Sequence, residues 1–133
     1  MEDYKLIEFA NKAMKNSYSP YSNFKVGAAL LTTAGEVYTG CNIENASYPV
    51  CNCAERTALF SAVSDGRTIF TKIAIVGGNN GKVSDFTPPC GMCRQALSEF
   101  CNGDFEILLY NGEEIKKHTL SELLPESFGK EKI

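Results

Sequence analysis

The chain has 133 residues, 44 % of them hydrophobic and 22 % charged, which suits one folded domain over residues 1–133 and excludes wholesale disorder. Its net charge is −3, and the basic residues are scattered apart from Lys116-Lys117 and the tail Lys130-Glu131-Lys132. A protein that grips phosphate backbones carries a basic face, so the balance argues against a nucleic-acid partner. No apolar run approaches the ~18 residues a membrane span needs. Met1-Glu2-Asp3-Tyr4 also lacks the basic-then-apolar order of a secretory signal, so a cytoplasmic location is expected.

Residues 3–17 place Leu6, Ile7, Phe9, Ala10, Ala13 and Met14 on a helical stripe, which Pro20 and the run from Tyr18 to Asn23 end. Phe24–Thr32 and Glu36–Asn42 read as strands. The short turn Thr33-Ala34-Gly35 between them makes the pair antiparallel. Asn52–Asp65 reads as a helix stopped by Gly66. Between its charged ends this helix is nearly apolar all round, which calls for burial on most sides, by the sheet and by a neighbouring subunit. Thr71–Val76 is a β-branched run expected to form an interior strand. Gly77–Pro89 reads as a loop, Cys90–Phe100 as a helix and Phe105–Tyr110 as a strand. Strand–helix–strand at this length is a right-handed crossover between parallel neighbours. A weak strand is expected near Glu114–Lys117. Thr119-Leu-Ser-Glu122 then spells a capping box that opens a short helix stopped by Pro125. The expected class is α/β: a three-layer α/β/α sandwich around a mixed sheet of about five strands.

Six cysteines stand at 41, 51, 53, 90, 93 and 101, below the density of a disulfide scaffold. In a reducing compartment clustered thiols are more often ligands or catalysts than cross-links. Cys90-Gly-Met-Cys93 alone is ambiguous between a redox pair and a metal site. A third cysteine, Cys53, also opens a helix, and three thiolates suit a tetrahedral zinc with one position open. Cys90 and Cys93, at i and i+3, can face one way across a single turn. At helix N-termini the free N–H groups and the positive dipole end stabilise thiolate charge. In the first helical turn Cys53 and Glu55 can converge on one ion, which makes Glu55 the candidate proton shuttle.

A dication on three thiolates keeps a formal charge of −1, and Arg56 could offset it by donating to the sulfurs. Taken alone, Arg56 reads as a solvated helix-end arginine. Asn42 and Glu44, two apart at a strand end, share a face and supply a donor and an acceptor. Taken alone they read as an exposed turn, and Phe24 as core. Cys41, Cys51 and Cys101 read as small, partly buried thiols. His118, the one histidine, reads as a surface residue.

Taken together, these segments resemble the cytidine deaminase family, in its small homotetrameric form with a three-cysteine zinc site. The matching stretches are Tyr18–Ala29, Gly40–Tyr48, Cys51–Ala58, Pro89–Gln95 and Glu122–Pro125, nearly the whole chain. The resemblance implies one Zn²⁺ per chain held by Cys53, Cys90 and Cys93, with Glu55 as general acid and base. It implies that Ala54 offers a backbone contact to the pyrimidine and that Asn42 and Glu44 bind the ribose hydroxyls. It further implies that Phe24 packs against the nucleoside, that Arg56 partly neutralises the thiolates, and that Phe128 reaches a neighbour's site in a homotetramer with shared active sites.

The implied reaction is hydrolytic deamination of cytidine and 2′-deoxycytidine, with ammonia released, in pyrimidine salvage. The sequence departs from the family in the long Gly77–Pro89 loop, with Pro88 where a small polar residue is frequent. One rival is a deaminase of a cytosine-bearing nucleoside antibiotic; the intact Phe24, Asn42 and Glu44 segments favour the simple nucleoside. The other rival is a binding module with structural zinc, which requires a fourth protein ligand.

Overall fold

A computed structural model describes all 133 residues. Helix α1 (Asp3–Met14) is followed by strands β1 (Phe24–Thr32) and β2 (Val37–Cys41), helix α2 (Ala54–Ser64) and strand β3 (Phe70–Asn79). Helix α3 (Gly91–Ser98), strands β4 (Glu106–Tyr110) and β5 (Ile115–Thr119) and helix α4 (Leu120–Leu123) complete it. Short 3₁₀ turns lie at Tyr48–Val50 and Lys130–Lys132.

The five strands form one mixed sheet in the order β2-β1-β3-β4-β5. Only β3 and β4 run parallel, and α3 lies in the crossover between them, as the sequence predicts. Alternation along the strands sorts side chains to two cores. Ala29, Leu31, Ala74, Val76 and Leu108 face α1 and its Leu6, Ile7, Ala10 and Met14. Ala28, Leu30, Ile73, Ile75, Ile107 and Leu109 face the opposite side, with Ala58, Leu59 and Ala62 of α2 and Leu97 of α3. This is the expected three-layer arrangement. The capping box is present at Thr119 and Glu122.

Two expectations are corrected. First, β3 continues through Gly77, Gly78 and Asn79, which pair with Val26, Lys25 and Phe24. The glycines serve close packing here, not a turn: a Cβ at Gly78 would lie 1.9 Å from the Lys82 carbonyl oxygen. Second, His118 is half-buried on β5, paired with Ile107. Within one chain α2 buries only the face carrying Ala54, Glu55, Ala58, Leu59 and Ala62. Its other face leaves Phe60 50 % exposed.

Candidate active site

Register places the ends of β2 and β3 and the start of β1 at one edge: Cys41 pairs with Gly27, and Asn79 with Phe24. The chain leaves β2 and β3 there and starts α2 and α3, so both helix N-termini open on the same edge. Cys53 is the N-cap of α2 and Cys90 the N-cap of α3, both extended and neither using its side chain as a cap. Their sulfurs are thereby free to face each other. Cys93 lies in the first turn of α3, fully buried.

The three sulfurs cluster, with Cys53 Sγ 3.7 Å from Cys90 Sγ and Cys90 Sγ 3.5 Å from Cys93 Sγ. A tetrahedral zinc with Zn–S of about 2.3 Å separates its sulfurs by about 3.8 Å. The donor set therefore fits zinc in both chemistry and spacing. No fourth His, Cys, Asp or Glu joins the cluster. That leaves the structural-zinc alternative without the ligand it requires.

Glu55, on the buried face of α2, is only 4 % exposed. Burial is the main force on its carboxyl and, with the Cys53 charge, pushes it up from the ordinary 4.5 to about 7. Arg56 Nη2 donates to Cys53 Sγ at 3.4 Å, while its buried Nε has no partner in the chain. The Cys93 thiol donating to Cys53, followed by Arg56, holds Cys53 down at about 5 against the opposing effect of burial. The Cys53 thiolate in turn pushes the Cys93 thiol up.

Asn42 and Glu44 lie just beyond β2. The Asn42 amide takes Val26 N–H at 2.9 Å and the Ser17 hydroxyl at 2.5 Å on its oxygen, and gives an N–H to the Phe24 carbonyl at 2.8 Å. Glu44 Oε1 accepts the backbone N–H groups of Tyr21 and Ser22 at 3.0 and 3.2 Å, and Oε2 accepts the Ser22 hydroxyl at 2.5 Å. These donors, the Ser22 hydroxyl first, lower the Glu44 carboxyl's pKa. Phe24 opens β1 at the same edge, its ring against the position a Gly77 side chain would take. Ala54 is fully buried at the first turn of α2.

Phe128 is 61 % exposed. The tail that bears it is tied to α3 by Gln95 Nε2, which donates to the Phe128 carbonyl at 2.9 Å. The structure thus brings the thiols, Glu55 and Arg56 together and gathers Phe24, Asn42 and Glu44 at the same sheet edge, while Phe128 stands apart, facing outward.

Sequence reasoning missed several supporting groups. Arg94 clamps the second thiol segment, donating from Nε to the Pro89 carbonyl and from Nη1 to the Leu123 carbonyl, each at 2.7 Å. Ser17 and Ser22 hold Asn42 and Glu44 through their hydroxyls. Arg94 and Ser22 fall inside the matched stretches, but nothing in their spacing names the partner each would reach.

Residues 1–108 match the family described as the cytidine and deoxycytidylate deaminase zinc-binding region, and the chain belongs to that family. A cytidine deaminase of Sporosarcina psychrophila is 49 % identical over 134 residues, covering 100 % of this chain and 96 % of the relative. One of Halalkalibacterium halodurans is 49 % identical over 129 residues, covering 96 % of this chain and 95 % of the relative. The crystal structure of cytidine deaminase from Burkholderia pseudomallei superposes with a TM-score of 0.88 at 46 % identity, covering 96 % of this chain and 100 % of that one. A blasticidin-S deaminase of Bacillus cereus is more distant, at 34 % identity over 128 residues.

Proposed function

We propose that this chain catalyses the zinc-dependent hydrolytic deamination of cytidine and 2′-deoxycytidine, giving uridine or 2′-deoxyuridine and ammonia. The observation that carries the reading is a buried carboxyl, Glu55, on the same helix start as a three-thiol cluster that lacks a fourth ligand. Cys53, Cys90 and Cys93 hold one zinc per chain. Once bound, it supplies the Lewis acidity that makes water a usable nucleophile near neutral pH.

Glu55 carries the protons. Its carboxylate accepts one from the attacking water and, as the carboxylic acid, delivers it to N3 of the ring as the oxygen adds at C4. It then takes the proton of the new hydroxyl and passes it to the exocyclic nitrogen, which leaves as ammonia while the C4 carbonyl forms. A carboxyl titrating at about 7 suits both directions of transfer at neutral pH. Arg56 offsets the excess thiolate charge, Ala54 offers its backbone to the pyrimidine, Phe24 packs against the nucleoside, and Asn42 and Glu44 take the sugar hydroxyls. The identities of 49 % to named cytidine deaminases, against 34 % to the antibiotic deaminase, favour the simple nucleoside.

The whole chain, 1–133, acts as one domain and assembles as a homotetramer with shared sites. The uncovered Phe60 on α2 and the outward Phe128, its backbone held by Gln95, support this assembly. Pyrimidine salvage in the cytoplasm is the setting the activity fits. The test is ammonia release from cytidine by purified protein, with metal analysis alongside. About one zinc per chain and activity lost on chelation are expected; no ammonia from the zinc-loaded protein, or full activity after zinc is removed, overturns the reading.

A further inference from the structure

The C-terminal segment is strapped across α3 by groups that the proposed chemistry does not use. Arg94 and Gln95, consecutive on α3, each donate to one of its carbonyls: Arg94 Nη1 to Leu123 at 2.7 Å and Gln95 Nε2 to Phe128 at 2.9 Å. A third tie follows, Lys130 Nζ lying 3.9 Å from Oε2 of Glu99, the C-cap of α3. Gln95 and Glu99 stand at i and i+4, so they share one face at the end of the helix.

Between the first two ties the chain runs through Leu124, Pro125, Glu126 and Ser127. Glu126 has a φ of 49°, in the left-handed region. A residue with a Cβ stays there only where its surroundings fix it. The turn at Glu126 is therefore imposed by the ties at its two ends, and it returns the chain to Gln95. The Gln95 amide is oriented by its partner: a carbonyl oxygen only accepts, so the amide nitrogen faces Phe128. This bond holds the backbone of Phe128 and leaves its ring out of the contact, 61 % exposed. A ring on a loose tail loses backbone freedom each time it docks, and a ring whose backbone is already fixed does not. The exposed Lys130–Glu99 pair adds little. The Gln95 bond, made at the residue that bears the ring, sets where the ring starts.

We propose that Gln95 is a positioning residue for Phe128: it pre-sets the ring for the nucleoside site of a second copy of this chain, while Arg94 anchors the other end of the strap. The proposal rests on the reading of Phe128 as part of a neighbour's site. Arg94 also donates to the Pro89 carbonyl, beside Cys90, so replacing it would disturb the thiols as well. Gln95 is exposed, and its side chain bonds only the strap, so it separates the two effects.

The experiment measures kcat and KM for cytidine with the zinc-loaded, assembled parent and with Gln95→Glu, Gln95→Leu, Phe128→Ala and the double variant Gln95→Glu/Phe128→Ala. Glutamate nearly matches glutamine in size, but its carboxylate cannot donate. In Gln95→Glu and Gln95→Leu the KM rises about two- to tenfold, the scale of one net hydrogen bond, with kcat within about twofold. Phe128→Ala raises KM at least as much. The double variant raises it no further than Phe128→Ala alone, because both residues act through one ring. Amide hydrogen exchange over residues 125–133, followed by mass spectrometry, speeds up in Gln95→Glu, while exchange in α2 and β3 does not change.

An unchanged KM in both Gln95 variants, where Phe128→Ala raises it, overturns the positioning role and leaves the shared site standing. An unchanged KM in Phe128→Ala overturns both. Losses that multiply in the double variant show Gln95 acting other than through Phe128, and a drop in kcat or melting temperature at constant KM marks it as merely structural. Either result overturns the proposal, as does unchanged exchange in the tail.

Discussion

Replacing Glu55 by Gln removes an ionisable proton and almost no volume, so it separates chemistry from packing. Loss of a positioned acid and base typically costs ~10²–10⁴ in rate. At about 1.36 kcal/mol per factor of ten this is roughly 3–5 kcal/mol of barrier. On the proposed mechanism Glu55 moves a proton at several points, so the loss falls at or beyond the upper end. Stability moves the other way. The Glu55 carboxyl titrates at about 7 in the fold, against an ordinary 4.5, chiefly because it is buried. A raised carboxyl pKa means the folded state holds a proton that the unfolded chain has released. Its stabilising effect is therefore complete below the ordinary value and is lost as pH rises through about 7. Above that, the fold carries a buried carboxylate at a cost of up to about 3 kcal/mol. Glutamine does not titrate, so Glu55→Gln melts increasingly above the parent between about pH 5 and pH 8. Burial, the leading cause of the shift, does not depend on the metal. The assay pairs ammonia release with thermal melts at the two pH values and a zinc determination. A variant that keeps zinc and turns over within tenfold of the parent refutes the catalytic role. A melting difference that does not change with pH refutes the buried-carboxyl account.

Three further outcomes follow from the geometry. Arg56→Gln removes the donor to Cys53 and weakens zinc retention or kcat by about 10- to 100-fold, read by competition with a chromogenic chelator and by kinetics; undiminished retention and rate would dismiss the charge-offset role. Gly40→Ala would place a Cβ 2.5 Å from the backbone N of Ala58 and 2.6 Å from the Ala54 carbonyl, so α2 must shift and carry Glu55 with it. Both melting temperature and kcat should drop, and an unchanged kcat would show that the seat of α2 does not set the site. Phe128→Ala should raise KM for cytidine more than it lowers stability. Mixing it with Glu55→Gln under subunit exchange should give catalytic efficiency above the parents' average, whereas a fully active monomer would contradict the shared site.

The thiol site was legible because its logic is local. Cys90 and Cys93 sit one turn apart, and Cys53 and Glu55 share one helix start, so spacing alone brought the thiols and the carboxyl to helix ends. The sheet was legible for the same reason, through the hairpin turn after β1 and the β-branched run in β3. What escaped depends on contacts distant in sequence. The link from Ser17 to Asn42 spans 25 residues, and the link from Arg94 to Leu123 spans 29. Gly77 and Gly78 read as a loop because a glycine needed for close packing looks like one needed for a turn. The apolar pattern of α2 spoke for burial on more sides than one chain provides.

The charge on the site explains why the topology takes this form. A dication bound by three thiolates is left at −1, and a carboxylate two residues from one of them would make it −2 in a buried place. Three features oppose that. Two helix N-termini, α2 and α3, point their positive ends at the sulfurs because both helices leave the sheet at the same edge. Arg56 stands one residue beyond Glu55 and reaches Cys53. Glu55 itself, lifted to about 7, spends much of its time protonated at neutral pH. On the proposed mechanism the same reluctance to ionise, set first by burial and then by the Cys53 charge, returns the proton to the ring nitrogen. On that mechanism charge on the thiolates and proton transfer by Glu55 are one design, and the antiparallel β1–β2 hairpin followed by the β3–α3–β4 crossover is the arrangement that brings the two helix starts together.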